Sequence, residues 1–139
     1  MIKIFPLESP GFLFDKRRED CLLLENIPFE QETVLGLMKI VNEAGEVFLS
    51  LDEILERYAH VRKAGQLHAE RLFQCQEKIP KKWRKYILVF AGTIWKGGEE
   101  NPFRYVCCLF WIEKEQKWKL DFFWSIYGFR KNSRLVCLL

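Results

Sequence analysis

The chain has 139 residues, of which 49% are apolar and 29% charged. That length and balance suit one folded domain and exclude a disordered or collagen-like chain. No apolar run approaches the ~18 to 20 residues that cross a bilayer as a helix. The apolar stretch in Met1-Ile-Lys-Ile-Phe-Pro6 is too short for a secretory signal. The expectation is a cytosolic protein with no membrane partner.

Five cysteines stand at 21, 75, 107, 108 and 137, with no C-x-x-C pair. An odd count leaves at least one thiol free in any pairing, so a reducing compartment is the simpler setting. Cys107 and Cys108 are adjacent in a stretch that reads as a strand, where neighbours point to opposite faces. They are poorly placed to share a metal and read as small buried side chains. The net charge of +3 conceals an asymmetry. Residues 1–60 hold 6 Lys/Arg against 12 Asp/Glu, and residues 61–139 hold 16 against 7. Either the halves attract each other, or the charges are solvated faces, or the basic half faces an acidic partner such as nucleic acid.

In chain order, residues 1–29 read as extended structure and loop, punctuated by Pro6, Pro10-Gly11 and Pro28, with a strand near 21–27. Val34, Leu37, Met38 and Val41 fall at helical spacing, which predicts a helix over about 30–43 stopped by Gly45. A short apolar stretch, Val47-Phe-Leu49, follows. Ser50-Leu-Asp-Glu53 is a capping box, with the serine hydroxyl and the glutamate carboxylate each positioned to take an N–H of the first turn. The apolar stripe through Leu51, Ile54, Tyr58, Val61, Gly65, His68, Leu72, Cys75 and Ile79 continues the helical period. As one rod it would span about 43 Å, more than the roughly 37 Å diameter of a compact domain of this length. A break at Ala64-Gly65 gives two helices, about 50–63 and 66–78.

After Pro80 the pattern changes to β. Strands are predicted over 86–95, 103–112, 117–127 and 134–138, joined by connections too short for crossover helices, hence an antiparallel meander. The predicted fold class is α+β: helices from the N-terminal half packed on one face of a C-terminal antiparallel β-meander. It forms one domain over 1–139, with its helical part at about 30–79 and its sheet part at about 86–138. The strand near 21–27 can join the sheet. There is no internal repeat or low-complexity tract.

The first two of these strands are apolar on both sides, Ile87, Val89, Thr93 and Trp95 opposing Leu88, Phe90 and Ile94. The helices cover one sheet face, and something must cover the other. Phe5, Leu7, Phe12, Leu13 and Phe14 of the N-terminal segment can do so. Otherwise the face is an aromatic interaction surface for a protein partner or a second copy of the chain, with Trp95, Tyr105, Trp111 and Phe123 as its contacts. That non-catalytic binding role is the first functional expectation.

The second is nucleic-acid binding. Lys78, Lys81, Lys82, Arg84 and Lys85 alternate with Trp83 and Tyr86, pairing phosphate-neutralising cations with rings that can stack on bases. Arg130, Lys131 and Arg134 form another basic cluster. Over about 31–112 the order helix, short strand, capped helix, turn, helix, basic segment, hairpin resembles the winged-helix arrangement of DNA-binding domains, which implies DNA binding with 66–78 as the groove-reading helix. The 66–78 helix, however, carries Glu70 and Glu77 against Arg71 and Lys78. A distant third expectation is a metal-dependent nuclease, from Glu115-Gln-Lys117 with Asp121 nearby. His60 and His68, eight apart, read as packed or rim residues, and no catalytic set, metal site or cofactor motif is predicted.

Overall fold

The structure, a computed structural model, describes residues 1–7, 11–40, 49–124 and 128–139. Among them are strands β1 (Ile2–Ile4), β2 (Leu22–Glu25), β3 (Thr33–Lys39), β4 (Ile87–Lys96), β5 (Arg104–Ile112), β6 (Lys117–Trp124) and β7 (Ser133–Leu138), and helices α1 (Leu51–Arg57) and α2 (Gln66–Gln74). The strands form one curled, half-barrel sheet in the order β1-β3-β7-β4-β5-β6, with β2 on β4. This corrects the α+β expectation. The chain is 40% strand and 21% helix, and its N-terminal half supplies three strands rather than a helical layer. No helix of the described residues is long and apolar enough to cross a membrane.

The predicted helix at 30–43 is the strand β3, so the winged-helix order does not hold. Its apolar residues fit a helical stripe, but Thr33 and Val34 are β-branched and Gly36 costs a helix interior about 1 kcal/mol. The decisive term is non-local. β3 pairs antiparallel with β1 on one edge and β7 on the other, which satisfies its backbone on both sides. Val41, Gly45 and Val47-Phe48 lie outside the described residues.

The meander over β4, β5 and β6 is present and antiparallel. β7 breaks it, pairing parallel with β4 and antiparallel with β3. Short loops force neighbours in sequence to be antiparallel, but they say nothing about β4 and β7. The crossover between those two is the β5–β6 hairpin itself.

The capping box forms, with Glu53 N–H donating to Ser50 Oγ at 3.2 Å and Ser50 N–H to Glu53 Oε1 at 3.3 Å. The helical stripe is interrupted before Gly65, but α1 already ends at Arg57 and α2 at Gln74, so both helices are shorter than the predicted 50–63 and 66–78. The interruption is an extended piece that joins the sheet, with Leu138 N–H donating to the Arg62 carbonyl, Ala64 N–H to Val136 and Gly92 N–H to Ala64. Only a glycine fits at 92, where a Cβ would run into the carbonyl oxygens of Lys63 and Ala64.

Each sheet face has its own core. α2 packs Ala69 and Leu72 with Ile4, Leu35, Leu88, Phe90, Cys107, Leu109, Trp118 and Val136. α1 packs Leu51 and Ile54 with Val89, Ala91, Ile94, Val106, Cys108 and Leu135. Adjacent Cys107 and Cys108 point into different cores, and burial pushes both thiols well above their ordinary pKa. In β4 the register against β5 shifts between Phe90 and Trp95. The irregularity moves Thr93 and Trp95 to the α2 side, where Thr93 Oγ1 accepts the Gln66 N–H and Trp95 Nε1 donates to Gln66 Oε1.

Candidate functional site

Trp95 is fully buried, and Tyr105 is 9% exposed. Both belong to the interior, a correction to the open aromatic face. The predicted helices did not all form, yet both sheet faces are covered, one by α2 with Phe12 edge-on to Trp95 at 5.4 Å, the other by α1. Trp111 is half-buried beneath Arg84, and Phe123 is half-buried against Phe110.

The basic segments fare differently. β4 and β7 run parallel, so the residues preceding them emerge at the same end of the sheet. The register pairs Ile87 with Ser133, and Ile87 N–H donates to the Asn132 carbonyl at 3.1 Å. β3 runs the other way and ends there, with Lys39 across from Arg134. Three segments distant in sequence thus deliver Lys39, Lys82, Lys85, Arg130, Lys131 and Arg134 to one place.

Two open hollows lie among these residues, of about 490 and 360 Å³, sharing Lys85, Tyr86 and Arg134 as a common wall. No carboxylate among the described residues lines either one. None of the six cations makes an ion pair with a described residue, whereas Lys3, Lys16, Arg17, Arg57, Arg104 and Lys117 all do. The clustering is local and strongly of one sign.

Local geometry explains the exposure of the cations. Residues 80–86 wind through tight turns in which Trp83 N–H donates to Pro80, Arg84 N–H to Lys81 and Tyr86 N–H to Trp83. Trp83 anchors the turns at 3% exposure, leaving Lys81, Lys82 and Lys85 in solvent. The Tyr86 ring forms the floor. The Arg134 guanidinium carbon lies 4.2 Å from its centroid and Lys85 Nζ 5.2 Å. Burial alone would raise the Tyr86 phenol, but hydrogen bonding and charge from Lys85 and Arg134 outweigh it and lower its pKa.

Of the six residues predicted for nucleic acid, Lys82 and Lys85 line the site and Lys81 is exposed on the same turn. Trp83 lines only a wall, its ring too buried to stack on a base. The Arg84 guanidinium carbon lies 3.7 Å from the Trp111 ring centroid, and Lys78 sits over the ring of Phe5 at 5.8 Å instead. The second basic cluster, 130–134, was visible in the sequence but not its position. Lys39 had no signal at all, because its strand reads as a helix.

The remaining candidates do not assemble. Lys117 pairs with Glu115 at 3.6 Å on the exposed hairpin tip, while Asp121 accepts the Phe122 N–H. No group of three His, Cys, Asp or Glu among the described residues can hold a metal ion. His60 is exposed and His68 buried. Compared with known protein families, curated proteins and solved structures, the chain matches none of them.

Proposed function

We propose that this chain is a nucleic-acid-binding protein that holds phosphates at the basic end of its sheet. The observation that carries the reading is the convergence of six cations, unpaired among the described residues, from three separate segments around two adjoining hollows. With no carboxylate among the described residues lining the hollows, their repulsion is left for a polyanion to relieve. The test is anisotropy of labelled single- and double-stranded oligonucleotides titrated at several salt concentrations. A protein making 6 to 10 phosphate contacts loses about 10³ to 10⁵ in affinity between 50 and 200 mM salt. Lys85→Glu, Arg130→Glu and Lys131→Glu should each weaken binding and flatten the salt slope. Lys78→Glu, outside the hollows, should act far less. Absence of binding at 50 mM salt, or equal losses for Lys78→Glu, would overturn the reading.

A protein partner is the second reading, favoured by a different surface from the one first expected. Leu22 and Leu24 of β2 are 56% and 46% exposed. Leu22→Ser with Leu24→Ser would abolish such association while leaving oligonucleotide binding intact.

A further inference from the structure

Resting on the nucleic-acid reading, we infer that the site grips the sugar–phosphate backbone and does not read bases, because each described ring beside it is either buried or already covered by the chain's own cations. Proteins that recognise single strands through their bases offer open aromatic faces for stacking. Here the rings near the hollows are Trp83, Tyr86 and Trp111. Trp83 belongs to the α2-side core, and the other two pack against that core as well. The outer side of Tyr86 is taken by Arg134 and Lys85, and that of Trp111 by Arg84 at 3.7 Å. None of these described rings is left as a stacking platform.

The same contacts prepare the cations for phosphate. An arginine held against a ring has less side-chain freedom to lose on binding, and a guanidinium has five N–H donors with which to fork onto a phosphate. Arg134 is fixed further, because its Nη1 donates to the carbonyls of Lys131 at 3.0 Å and Ser133 at 2.9 Å. Adenine and cytosine edges are read by amide and carboxylate side chains, and among the described residues lining the hollows Asn132 is the single one of that kind; guanine edges could still be met by arginine or lysine, which the abasic comparison below tests. The ligand class is therefore a nucleic-acid backbone of any sequence.

The experiment compares one labelled strand with an abasic strand of the same length and phosphate count, each titrated with the full chain at 50 and 200 mM salt. A single stacked base is worth at least about fivefold in affinity. The expected result is an affinity ratio near one and the same salt slope for both strands. Intact strand binding fivefold or more tightly than abasic would overturn the inference while leaving the proposed function standing. Binding to neither strand would remove both. Arg134→Lys supplies a second readout, since it keeps the charge but loses the fork: affinity should fall equally for the two strands with the salt slope unchanged. A loss confined to the intact strand would mean that Arg134 touches bases. Inorganic polyphosphate, a second source of the same chemistry, should compete with both strands alike, and competition against only one would count against backbone recognition.

Discussion

Lys39 and Arg134 stand directly opposite each other on the β3–β7 ladder, two cations in register with no ion-pair partner among the described residues. Like charges in that relationship destabilise a sheet, on the scale of 0.2 to 1 kcal/mol per pair. Lys39→Glu should therefore raise stability by about 0.5 to 1 kcal/mol in urea unfolding and weaken oligonucleotide binding in the same protein. Opposite signs in the two assays distinguish a binding residue from ordinary surface charge. Loss of stability together with loss of binding would refute this account of the pair.

Trp95 and Gln66 make the second prediction. The indole N–H reaches Gln66 Oε1 at 2.6 Å inside the fold, where both residues are fully buried. Trp95→Ala should cost about 3 to 5 kcal/mol. Trp95→Phe keeps most of the volume but leaves the Gln66 oxygen unpaired, about 1 to 3 kcal/mol. Denaturant midpoints measure both. A folded Trp95→Ala protein with an unchanged midpoint would return Trp95 to the surface.

His68 makes stability depend on pH. Burial pushes it from 6.5 down to about 4, with Nδ1 accepting the Gly65 N–H at 3.0 Å. Between those values the unfolded chain binds a proton that the folded chain does not, so stability rises with pH. The contribution is complete above about 6.5 and is lost as pH falls toward 4, amounting to about 3 kcal/mol. Subtracting the curve of His68→Gln from that of the parent should isolate this slope between pH 5 and 7. A zero difference there would show that His68 titrates normally.

Glu70 clamps the N-terminal segment. Its carboxylate accepts from Leu13 N–H at 3.1 Å, Phe14 N–H at 2.8 Å and Gln66 Nε2 at 3.1 Å. Glu70→Gln keeps the size but turns one acceptor into a donor, leaving a buried N–H unpaired at about 1 to 3 kcal/mol. The tryptic sites at Lys16-Arg17-Arg18 follow the clamp directly in sequence. Their cleavage tracks the open population, so it should accelerate several-fold, as followed by mass spectrometry of the fragments. An unchanged rate would mean that the segment is held elsewhere.

What could be read from the residues was local. The hairpin strands 86–95 and 103–112, the Ser50–Glu53 box and the break before Gly65 depend on neighbours within a few positions, and each is present. The strand at 33–39 was misread because its partners, residues 2–4 and 133–138, lie far away in sequence. The inward turn of Thr93 and Trp95 escaped for another reason: alternation counts residues, and an irregularity in β4 resets the count. Both basic stretches could be seen separately. Their meeting required the parallel pairing of β4 and β7, which no short-range pattern encodes.

The place of β7 has a consequence for the birth of the protein. This strand follows all the others in the chain yet lies in the middle of the sheet, flanked by β3 and β4. A growing polypeptide released only as far as β6 can close the β4–β5–β6 meander and pair β1 with β3, but these two pieces share no ladder. Synthesis proceeds from the N-terminus at about 5 to 20 residues per second, so the partial sheet spends its wait with the inner edge of β3 and the 87–89 end of β4 unpaired. Those edges are templates for a stray strand. The nascent chain is thus most exposed to aggregation in the interval before residues 133–138 slide between its two halves.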